Sequence, residues 1–335
     1  MTVKRWNIAI AGFGGVGRAV ARLAHERRER YRTLYHADVR VVAACTSRAG
    51  IHNPDGLDPF TLTAEIMTPG LTGTEFLSSI ATDVVVDAGP TDFRTGGSSY
   101  LYVKASLEAG RHVLAISKGS LVFDYPGLHR LAETHGVQLK VSGATAAALP
   151  TIDLLEYNLR GCEVLSLEGI LTATANYVLS QMTEGELGLD EAVAQARAAG
   201  IAEKDPSFDI GGWDTACKLT ILANAGLGAS LSIRDLAVRG LEGITAAQIR
   251  EWKQQCLVPK LVGSLTKSRN EVKGEVGLRL YPEKHAFAQV TGKSKAVRIV
   301  TDDMGELIVT GGAGEPRATA AAALKDFEHI LMHAR

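Results

Sequence analysis

The segment from Glu203 to Lys218 concentrates groups that can hold a charged substrate and move a proton. Four carboxylates and the amine of Lys218 fall within sixteen residues, the carboxylates being Glu203, Asp205, Asp209 and Asp214. From Trp213 onward the pattern is helical, which places Asp214 and Lys218 on one helix face. An acidic loop with a surface ion pair would be the simpler interpretation. The two glycines and the tryptophan before Asp214 instead indicate a tight loop that opens a largely buried helix.

A second lysine lies at the predicted end of a strand. The run from His112 to Ser117 is mostly apolar, and Lys118 and Gly119 follow it directly. Lysine is mostly a surface residue. At the carboxyl end of a central parallel strand it can instead polarise an oxygen or shuttle a proton. Position alone leaves both interpretations of Lys118 open.

Three glycines with G-x-G-x-x-G spacing stand between an apolar strand and an amphipathic helix. They are Gly12, Gly14 and Gly17, and the helix that follows places apolar residues on one face. In this context the spacing predicts a dinucleotide site, with the pyrophosphate at the helix N-terminus. An ordinary glycine-rich turn is the alternative. The predicted cofactor residues of this loop are Gly12, Phe13, Gly14, Gly15, Val16 and Gly17.

The loop after the second predicted strand indicates which dinucleotide is bound. An NAD site usually places Asp or Glu there to accept from the ribose 2′-hydroxyl. This chain has Thr46, Ser47 and Arg48, whose hydroxyls and guanidinium suit a 2′-phosphate. The sequence therefore favours NADP, with NAD as the alternative and a ligand-free surface arginine as the simplest account of Arg48.

Two further strand ends supply cofactor candidates. The buried-strand pattern Val84–Asp87 leads into a loop with Gly89, Pro90 and Thr91, and the next strand ends at Ser117 and Lys118. Ligands of doubly wound folds sit at the carboxyl ends of such strands.

Composition excludes several classes of protein. The chain has 335 residues, 46% hydrophobic and 22% charged, with a formal net charge of −1. It can bury a sizeable core and form two domains, and it has no basic field for nucleic acid or a membrane surface. The four cysteines form no C-x-x-C pair, so free thiols in a reducing cytoplasm are expected, without a protein-bound metal. Neither a signal peptide nor a membrane span is apparent.

Three motifs together resemble the homoserine dehydrogenase family. They are D-V-V-V-D-A-G-P-T-D-F-R-T-G (Asp83–Gly96), A-I-S-K-G (Ala115–Gly119) and A-E-K-D-P-S-F-D-I-G-G-W-D-T-A-C-K-L-T-I-L-A (Ala202–Ala223). The last is the most specific, and the similarity runs from about Trp6 onward.

The resemblance implies an α/β fold. A Rossmann-like, doubly wound nucleotide-binding domain is expected at residues 1–141 and 312–335. A second α+β domain, an open sheet with helices, is expected at 142–311 and would bind substrate and form a homodimer. The implied reaction is the NAD(P)-dependent interconversion of L-homoserine and L-aspartate 4-semialdehyde, in threonine and methionine biosynthesis. The sequence is expected to be a short form without the C-terminal regulatory domain of many members.

The resemblance also implies roles for individual residues. Lys118 and Lys218 would flank the reacting oxygen, and one of them would protonate it. Glu203 and Asp214 would hold the substrate ammonium, with Asp209 supporting the lysines. Thr174 and Ile201 would contact the substrate, and Gly314 would lie near the cofactor. In relatives, backbone carbonyls of a loop that here contains Ser142, Thr145 and Ala147 can hold a monovalent cation.

The chain departs from the family pattern at three positions near the predicted pocket. Thr172 and Ala173 stand where Asn-Gly is usual, and Ile201 replaces a tyrosine. Lys295 also stands where asparagine is usual. These changes leave the hydride machinery in place. They keep open a paralogous dehydrogenase for another small hydroxy acid or amino alcohol, and, less favoured, a non-catalytic dinucleotide sensor.

Overall fold

The computed structural model describes residues 3–269 and 271–334. The chain divides into two compact units. The first comprises the residues up to Ala148 together with those from Glu315 onward, and the second is Leu149–Gly314.

The first unit is built on one sheet. Its strands are β1 (Lys4–Ala11), β2 (Ala37–Cys45), β3 (Ala49–His52), β4 (Thr68–Pro69), β5 (Val84–Asp87), β6 (His112–Ala115) and β7 (Leu139–Lys140). Among the described residues their order is β4-β3-β2-β1-β5-β6-β7. From β2 to β7 the neighbours are parallel, whereas β3 is antiparallel to β2 and β4. The chain order switches direction between β1 and β5, where ligands of doubly wound sheets bind.

Helices connect the parallel strands of this sheet. They are α1 (Gly15–Glu26), α2 (Arg28–Tyr35), α3 (Gly73–Ser78), α4 (Gly97–Glu108) and α5 (Gly119–Thr134). Short 3₁₀ turns occupy Ala64–Ile66 and Ser142–Ala144. All four residues of β5 are buried, as expected for a strand covered on both faces. The predicted doubly wound α/β fold is confirmed.

Helix α5 begins earlier than its sequence pattern indicates. The pattern predicts a helix from Tyr125 to His135, but the structure extends it back to Gly119 with a kink at Asp124. Pro126 lacks the N–H needed for a continuous ladder, and the Asp124 carboxylate accepts from the backbone N–H of Gly127 at 2.9 Å. The prediction therefore captured only the second half of this helix.

The composition of the charged run His25–Arg30 predicts the solvated end of the first helix; the run is exposed or half-buried, but it spans the junction of two helices. Helix α1 ends at Glu26 and a second helix, α2, starts at Arg28. Arg30 donates two charge-assisted bonds to Glu328, at 2.8 and 3.1 Å, and the Tyr35 hydroxyl donates a third at 2.7 Å. Burial raises the pKa of Glu328, but these donors outweigh it and hold the pKa below its usual value.

The second unit is a mostly antiparallel sheet with helices. Its strands are β8 (Val164–Ile170), β9 (Ala237–Val238), β10 (Leu257–Ser268), β11 (Glu271–Pro282), β12 (Lys295–Thr301) and β13 (Glu306–Gly311). In the described residues their order is β13-β12-β8-β10-β11-β9. The helices are α6 (Thr151–Asp153), α7 (Ala173–Gly185), α8 (Leu189–Ala198), α9 (Ser207–Ile210), α10 (Trp213–Ile221) and α11 (Ala246–Gln254). Leu154–Asn158 and Leu222–Gly226 are π-helical, and Ile233–Asp235 is a 3₁₀ turn.

The sequence Thr245-Ala-Ala-Gln-Ile predicts a capped helix start, and helix α11 begins there. The Thr245 hydroxyl accepts from the backbone N–H of Gln248, and the Gln248 side chain accepts from the backbone N–H of Thr245. This reciprocal capping box confirms the predicted helix start.

The last helix, α12 (Pro316–His333), returns to the first unit. Its Phe327 lies edge-on against Trp6 and Tyr31, with ring centroids 5.9 and 5.6 Å away. The sequence pattern predicts a helix from Ala318 to Leu331, and the observed helix contains that range. Among the described residues, no helix is both long and apolar enough to cross a membrane.

Candidate active site

The glycine loop lies between β1 and α1, and two of its glycines are required by the protein's own atoms. Gly12 has φ +98°, and an added Cβ would collide with the backbone of Ala88. At Gly17 a Cβ would collide with the carbonyl oxygen of Gly12. At Gly14 a Cβ would meet nothing within 4 Å. The folded chain therefore leaves the space beside the Gly14 Cα open. This open space fits the close approach of a pyrophosphate to the backbone.

The start of α1 offers donors to such a group. Gly14 is the N-cap residue and has no side chain to cap the helix. The N–H groups of the first turn therefore point outward with the positive end of the helix dipole. Gly15 is exposed and Val16 half-buried, whereas Phe13 is buried in the core of this unit. Phe13 thus contributes packing, with its backbone N–H bonded to the carbonyl of Cys45.

The predicted specificity loop is the turn between β2 and β3. The Thr46 hydroxyl accepts from the backbone N–H groups of Arg48 and Ala49, at 3.2 and 3.1 Å. Thr46 therefore shapes the turn, while Ser47 and Arg48 are exposed.

The ends of β5 and β6 are tied together at the same edge of the sheet as the glycine loop. The Ser117 hydroxyl donates to the carbonyl of Pro90 at 3.2 Å. Gly89 and Thr91 flank that proline and are half-buried. Lys118 is half-buried and directly precedes the first residue of α5.

Asp87, at the end of β5, is a buried carboxyl that the sequence did not single out. It is fully buried and accepts a hydrogen bond from the Ser99 hydroxyl. Burial raises the pKa of Asp87 to about 6, and the bond from Ser99 opposes that shift. In the sequence, the feature that could have indicated this buried carboxyl is an aspartate at the end of an otherwise apolar strand.

In the second unit, Asp214 and Lys218 form a close pair on α10. Gly212, at φ +83°, allows the sharp entry into this helix, and Asp214 lies in its first turn, where the helix dipole favours a carboxylate. Lys218 Nζ donates to Asp214 Oδ2 at 2.6 Å and to the carbonyl oxygen of Leu171 at 2.8 Å. The two side chains are only 9% and 13% exposed. The expected buried helix with an i,i+4 pair is therefore present.

Thr172 joins this pair. Its hydroxyl donates to Asp214 Oδ2 at 2.7 Å and lies 2.9 Å from the hydroxyl oxygen of Thr215. The sequence marked Thr172 only as a departure from the family pattern and gave no indication of this contact.

The predicted substrate residues lie in the same unit. Thr174, in the first turn of α7, directs its hydroxyl toward the carbonyl oxygen of Ile201 at 3.4 Å. Glu203 is exposed in the loop between α8 and α9, and Asp209 is half-buried on α9. Gly314 is exposed at the end of this unit.

The predicted cation loop belongs to the first unit. The carbonyl of Ser142 accepts from the Thr145 hydroxyl at 3.1 Å, and Ala147 has φ +54°. The backbone N–H and hydroxyl of Ser142 donate to Asp326 at 2.9 and 2.8 Å. A cation here stays a prediction, as do the roles of the other residues above.

A buried lysine on β10 also escaped the sequence analysis. Lys260 is 1% exposed, and its Nζ donates to the Val290 carbonyl at 2.6 Å and to Asn176 Oδ1 at 3.2 Å. Burial lowers its pKa to about 8. In the sequence, the feature that could have indicated this burial is a lysine between apolar residues of a predicted strand.

These features define a two-unit α/β protein with a Rossmann-type nucleotide-binding unit and a second unit that carries a buried lysine–carboxylate pair. The family model for homoserine dehydrogenase matches residues 150–327. A protein of Pseudomonas canavaninivorans, named NAD(+)-dependent homoserine dehydrogenase, is 31% identical over 97% of this chain and 96% of its own length. A homoserine dehydrogenase of Methanocaldococcus jannaschii is also 31% identical, over 97% and 98%.

A solved structure from Archaeoglobus fulgidus, provisionally described as a homoserine dehydrogenase, superposes with a TM-score of 0.88. It is 32% identical and covers 97% of this chain and 99% of its own. The chain therefore belongs to the homoserine dehydrogenase family, and the resemblance found in the sequence is confirmed.

Proposed function

We propose that the protein is a homoserine dehydrogenase, which interconverts L-homoserine and L-aspartate 4-semialdehyde with a nicotinamide dinucleotide. The observation that carries this proposal is the buried Asp214–Lys218 pair, held by Leu171 and Thr172, in a chain of this family. Such a pair can deliver and recover a proton at a carbonyl oxygen without a metal.

Lys218 is the proposed proton donor. An ammonium has three N–H donors, and two of those of Lys218 are engaged by Leu171 and Asp214. The third is available for a substrate oxygen. In the reducing direction the carbonyl carbon gains a hydride, the oxygen takes a proton from Lys218, and an alcohol results. The nicotinamide ring supplies the hydride chemistry when it is bound.

Asp214 and other residues of the second unit are proposed to hold the substrate. The carboxylates of Glu203 and Asp214 would bind its ammonium, with Asp209 supporting the lysines. Thr174 and Ile201, which already contact each other, would line the pocket. Lys118, at the first turn of α5, is the second lysine of the proposed mechanism.

A preference for NADP is proposed on the loop after β2. Ser47 and Arg48 are exposed there, and the turn contains no carboxylate that would accept from a ribose 2′-hydroxyl. The relative from P. canavaninivorans is named NAD(+)-dependent. Use of a nicotinamide dinucleotide therefore rests on the family, and the choice of NADP rests on this loop alone.

A homodimer is proposed to form through one face of the sheet in the second unit. Glu168, Ser264, Glu275 and Arg298 lie in one row across β8, β10, β11 and β12. Glu168 accepts from Arg279 at 2.6 Å and from Arg298 at 2.9 Å. A cavity of about 810 Å³ borders this row, and the buried Ser264 hydroxyl has no partner in the described part of the chain. A face with both charge signs can pair with its own copy about a two-fold axis.

The four cysteines are all free, which fits a reducing compartment. We propose on this ground that the enzyme is cytoplasmic.

The experiment that tests the function is the initial rate of L-homoserine oxidation with NADP and with NAD, followed by absorbance of the reduced nicotinamide. Saturable turnover with a lower KM for NADP is expected. Coenzyme binding without turnover would instead favour another small hydroxy acid or amino alcohol, and would direct attention to Thr172, Ala173 and Ile201. A much lower rate for Lys218→Ala, purified in the same way, would show that the turnover does not come from a contaminating dehydrogenase.

A further inference from the structure

Thr172 occupies a helix N-cap without capping the helix. It precedes α7 with φ −116° and ψ +114°, and its side chain makes no cap hydrogen bond. A threonine at this position commonly accepts from an N–H of the first turn and so stabilises its own helix. Here the hydroxyl is buried and turned to Asp214 on another helix. The side chain therefore serves the Asp214–Lys218 pair instead of its own helix.

The hydrogen-bond directions follow from the number of protons. Thr172 has one hydroxyl proton, and an ionised Asp214 can only accept, so that proton lies between Thr172 Oγ1 and Asp214 Oδ2. The 2.9 Å contact between the two threonine hydroxyls must then use the proton of Thr215. Donation thus runs from Thr215 to Thr172 to Asp214. Each bond of such a buried chain polarises the next.

The junction between β8 and α7 contacts both members of the pair. Leu171 accepts from Lys218 through its carbonyl, and the next residue, Thr172, donates to Asp214. Two consecutive residues therefore fix where the ammonium and the carboxylate lie. Because the Leu171 contact is made by the backbone, the Thr172 hydroxyl is the part that a substitution can remove.

We propose that Thr172 is a positioning residue, whose hydroxyl holds the Asp214 carboxylate ionised and oriented toward Lys218. The proposal rests on the proposed function of that pair. It gives the departure from the family pattern at this position a specific meaning, because a threonine keeps a hydrogen-bond donor directed at Asp214. Thr172 then affects the rate of proton transfer and the pH at which it is lost, and leaves coenzyme binding unchanged.

The test compares Thr172→Val with Thr172→Ser. The valine keeps the shape of the side chain and removes the hydroxyl, whereas the serine retains the hydroxyl. Thr220→Val is the matched control, since Thr220 is buried on α10, the helix of Asp214 and Lys218, and its hydroxyl donates to the backbone carbonyl of Ala216. Thr172→Val should lower kcat about tenfold and move the acid limb of the pH profile of kcat up by about one pH unit. Thr172→Ser should lie within about twofold of the parent, and Thr220→Val should keep the parent profile.

A second measurement does not depend on turnover. The melting temperature of each variant is recorded from pH 4 to 8. Loss of a bond to an ionised carboxylate should destabilise Thr172→Val most near pH 7 and progressively less as Asp214 becomes protonated. Thr220→Val should show a difference that does not change with pH. If Thr172→Val does not fold, Thr215→Val removes the preceding link and should show the same changes at about a third of their size.

The outcomes separate the two proposals. A parent enzyme without homoserine turnover contradicts the proposed function, and the melting series then decides the role of Thr172 alone. The role of Thr172 is overturned if Thr172→Val matches Thr220→Val in both series, or if Thr172→Ser is as impaired as Thr172→Val.

Discussion

At the scale of single residues, the proposed chemistry depends on Lys218. The pair geometry predicts that Lys218→Ala lowers kcat by about two orders of magnitude or more, because no other group on α10 replaces its proton. The Kd for NADP should change little, since Lys218 belongs to the second unit and the glycine loop to the first. Steady-state kinetics and a fluorescence titration of coenzyme measure the two effects.

Lys253→Ala is the control for this substitution. Lys253 also pairs with a carboxylate, Glu186, at 3.0 Å, but both side chains are more than 40% exposed. Its loss should leave kcat within twofold. Near-normal turnover of Lys218→Ala would remove Lys218 from the mechanism.

Arg48 carries the prediction of coenzyme choice. Arg48→Ala should raise KM for NADP about tenfold or more and leave KM for NAD nearly unchanged, because only NADP carries the 2′-phosphate. Arg130→Ala, an exposed arginine of α5, serves as control and should alter neither constant. Equal effects of Arg48→Ala on the two coenzymes would refute the contact with the 2′-phosphate.

Sequence reveals such a site to the extent that its contacts are local. The glycine spacing is readable because a Cβ at Gly17 would meet Gly12, only five residues earlier, whereas the contact of Gly12 with Ala88 lies far along the chain. The pair of Asp214 and Lys218 is readable from its i,i+4 spacing. The bond from Thr172 to Asp214 joins residues 42 positions apart, and the residue type at either end does not specify it. The buried state of Lys260 likewise depends on a segment thirty residues later.

At the scale of elements, Lys260 and Asn176 connect β10, α7 and the segment before β12. Asn176 Nδ2 donates to the carbonyls of Val290, Gly292 and Ser294, at 3.0, 3.1 and 3.1 Å. Lys260 adds its own bond to Val290. Its two acceptors match the two N–H groups of a neutral amine, in agreement with its lowered pKa.

This arrangement predicts a specific pH dependence of stability. The pKa of Lys260 is about 8 in the folded chain and about 10.5 when unfolded. Between these values the unfolded chain binds the extra proton, so the free energy of unfolding should rise with pH, by roughly 1.4 kcal/mol per unit. The comparison of parent with Lys260→Met in urea at pH 8 to 10.5 isolates this rise.

Lys267→Met is the control on the same strand. Lys267 is more exposed and pairs with Glu163 at 3.8 Å. The difference in free energy of unfolding between the parent and Lys267→Met should not change with pH. If the difference in free energy of unfolding between the parent and Lys260→Met is also constant from pH 8 to 10.5, Lys260 does not lose its proton in the folded state over that range.

Elements with local signals were predictable, and others were not. The capping box of Thr245 and Gln248 fixes the start of α11 without help from the rest of the chain. The first half of α5 lacks such a signal because Pro126 interrupts its pattern, and tertiary packing decides the outcome there.

At the scale of the whole molecule, the proposed dimer gives a further prediction. Sedimentation equilibrium should give twice the 35.6 kDa mass of the chain. Val300→Asp adds a charge to the proposed face, since Val300 lies two residues from Arg298 on β12, and should yield monomers.

Leu280→Asp is the matched control. Leu280 is 38% exposed and follows Arg279, so it points to the opposite face of the same sheet. It should leave the dimer intact. A monomeric parent, or equal dissociation by both variants, would contradict the proposed face.

The return of α12 to the first unit has a consequence for synthesis of the protein. Phe327, which lies against Trp6 and Tyr31, leaves the ribosome only after the whole of Leu149–Gly314. At a translation rate of about 5–20 residues per second that stretch takes on the order of 10–30 s. During this interval Trp6 and Tyr31 of the nascent nucleotide-binding unit lack their contact with Phe327. The unit whose translation begins first is therefore the last to complete its core.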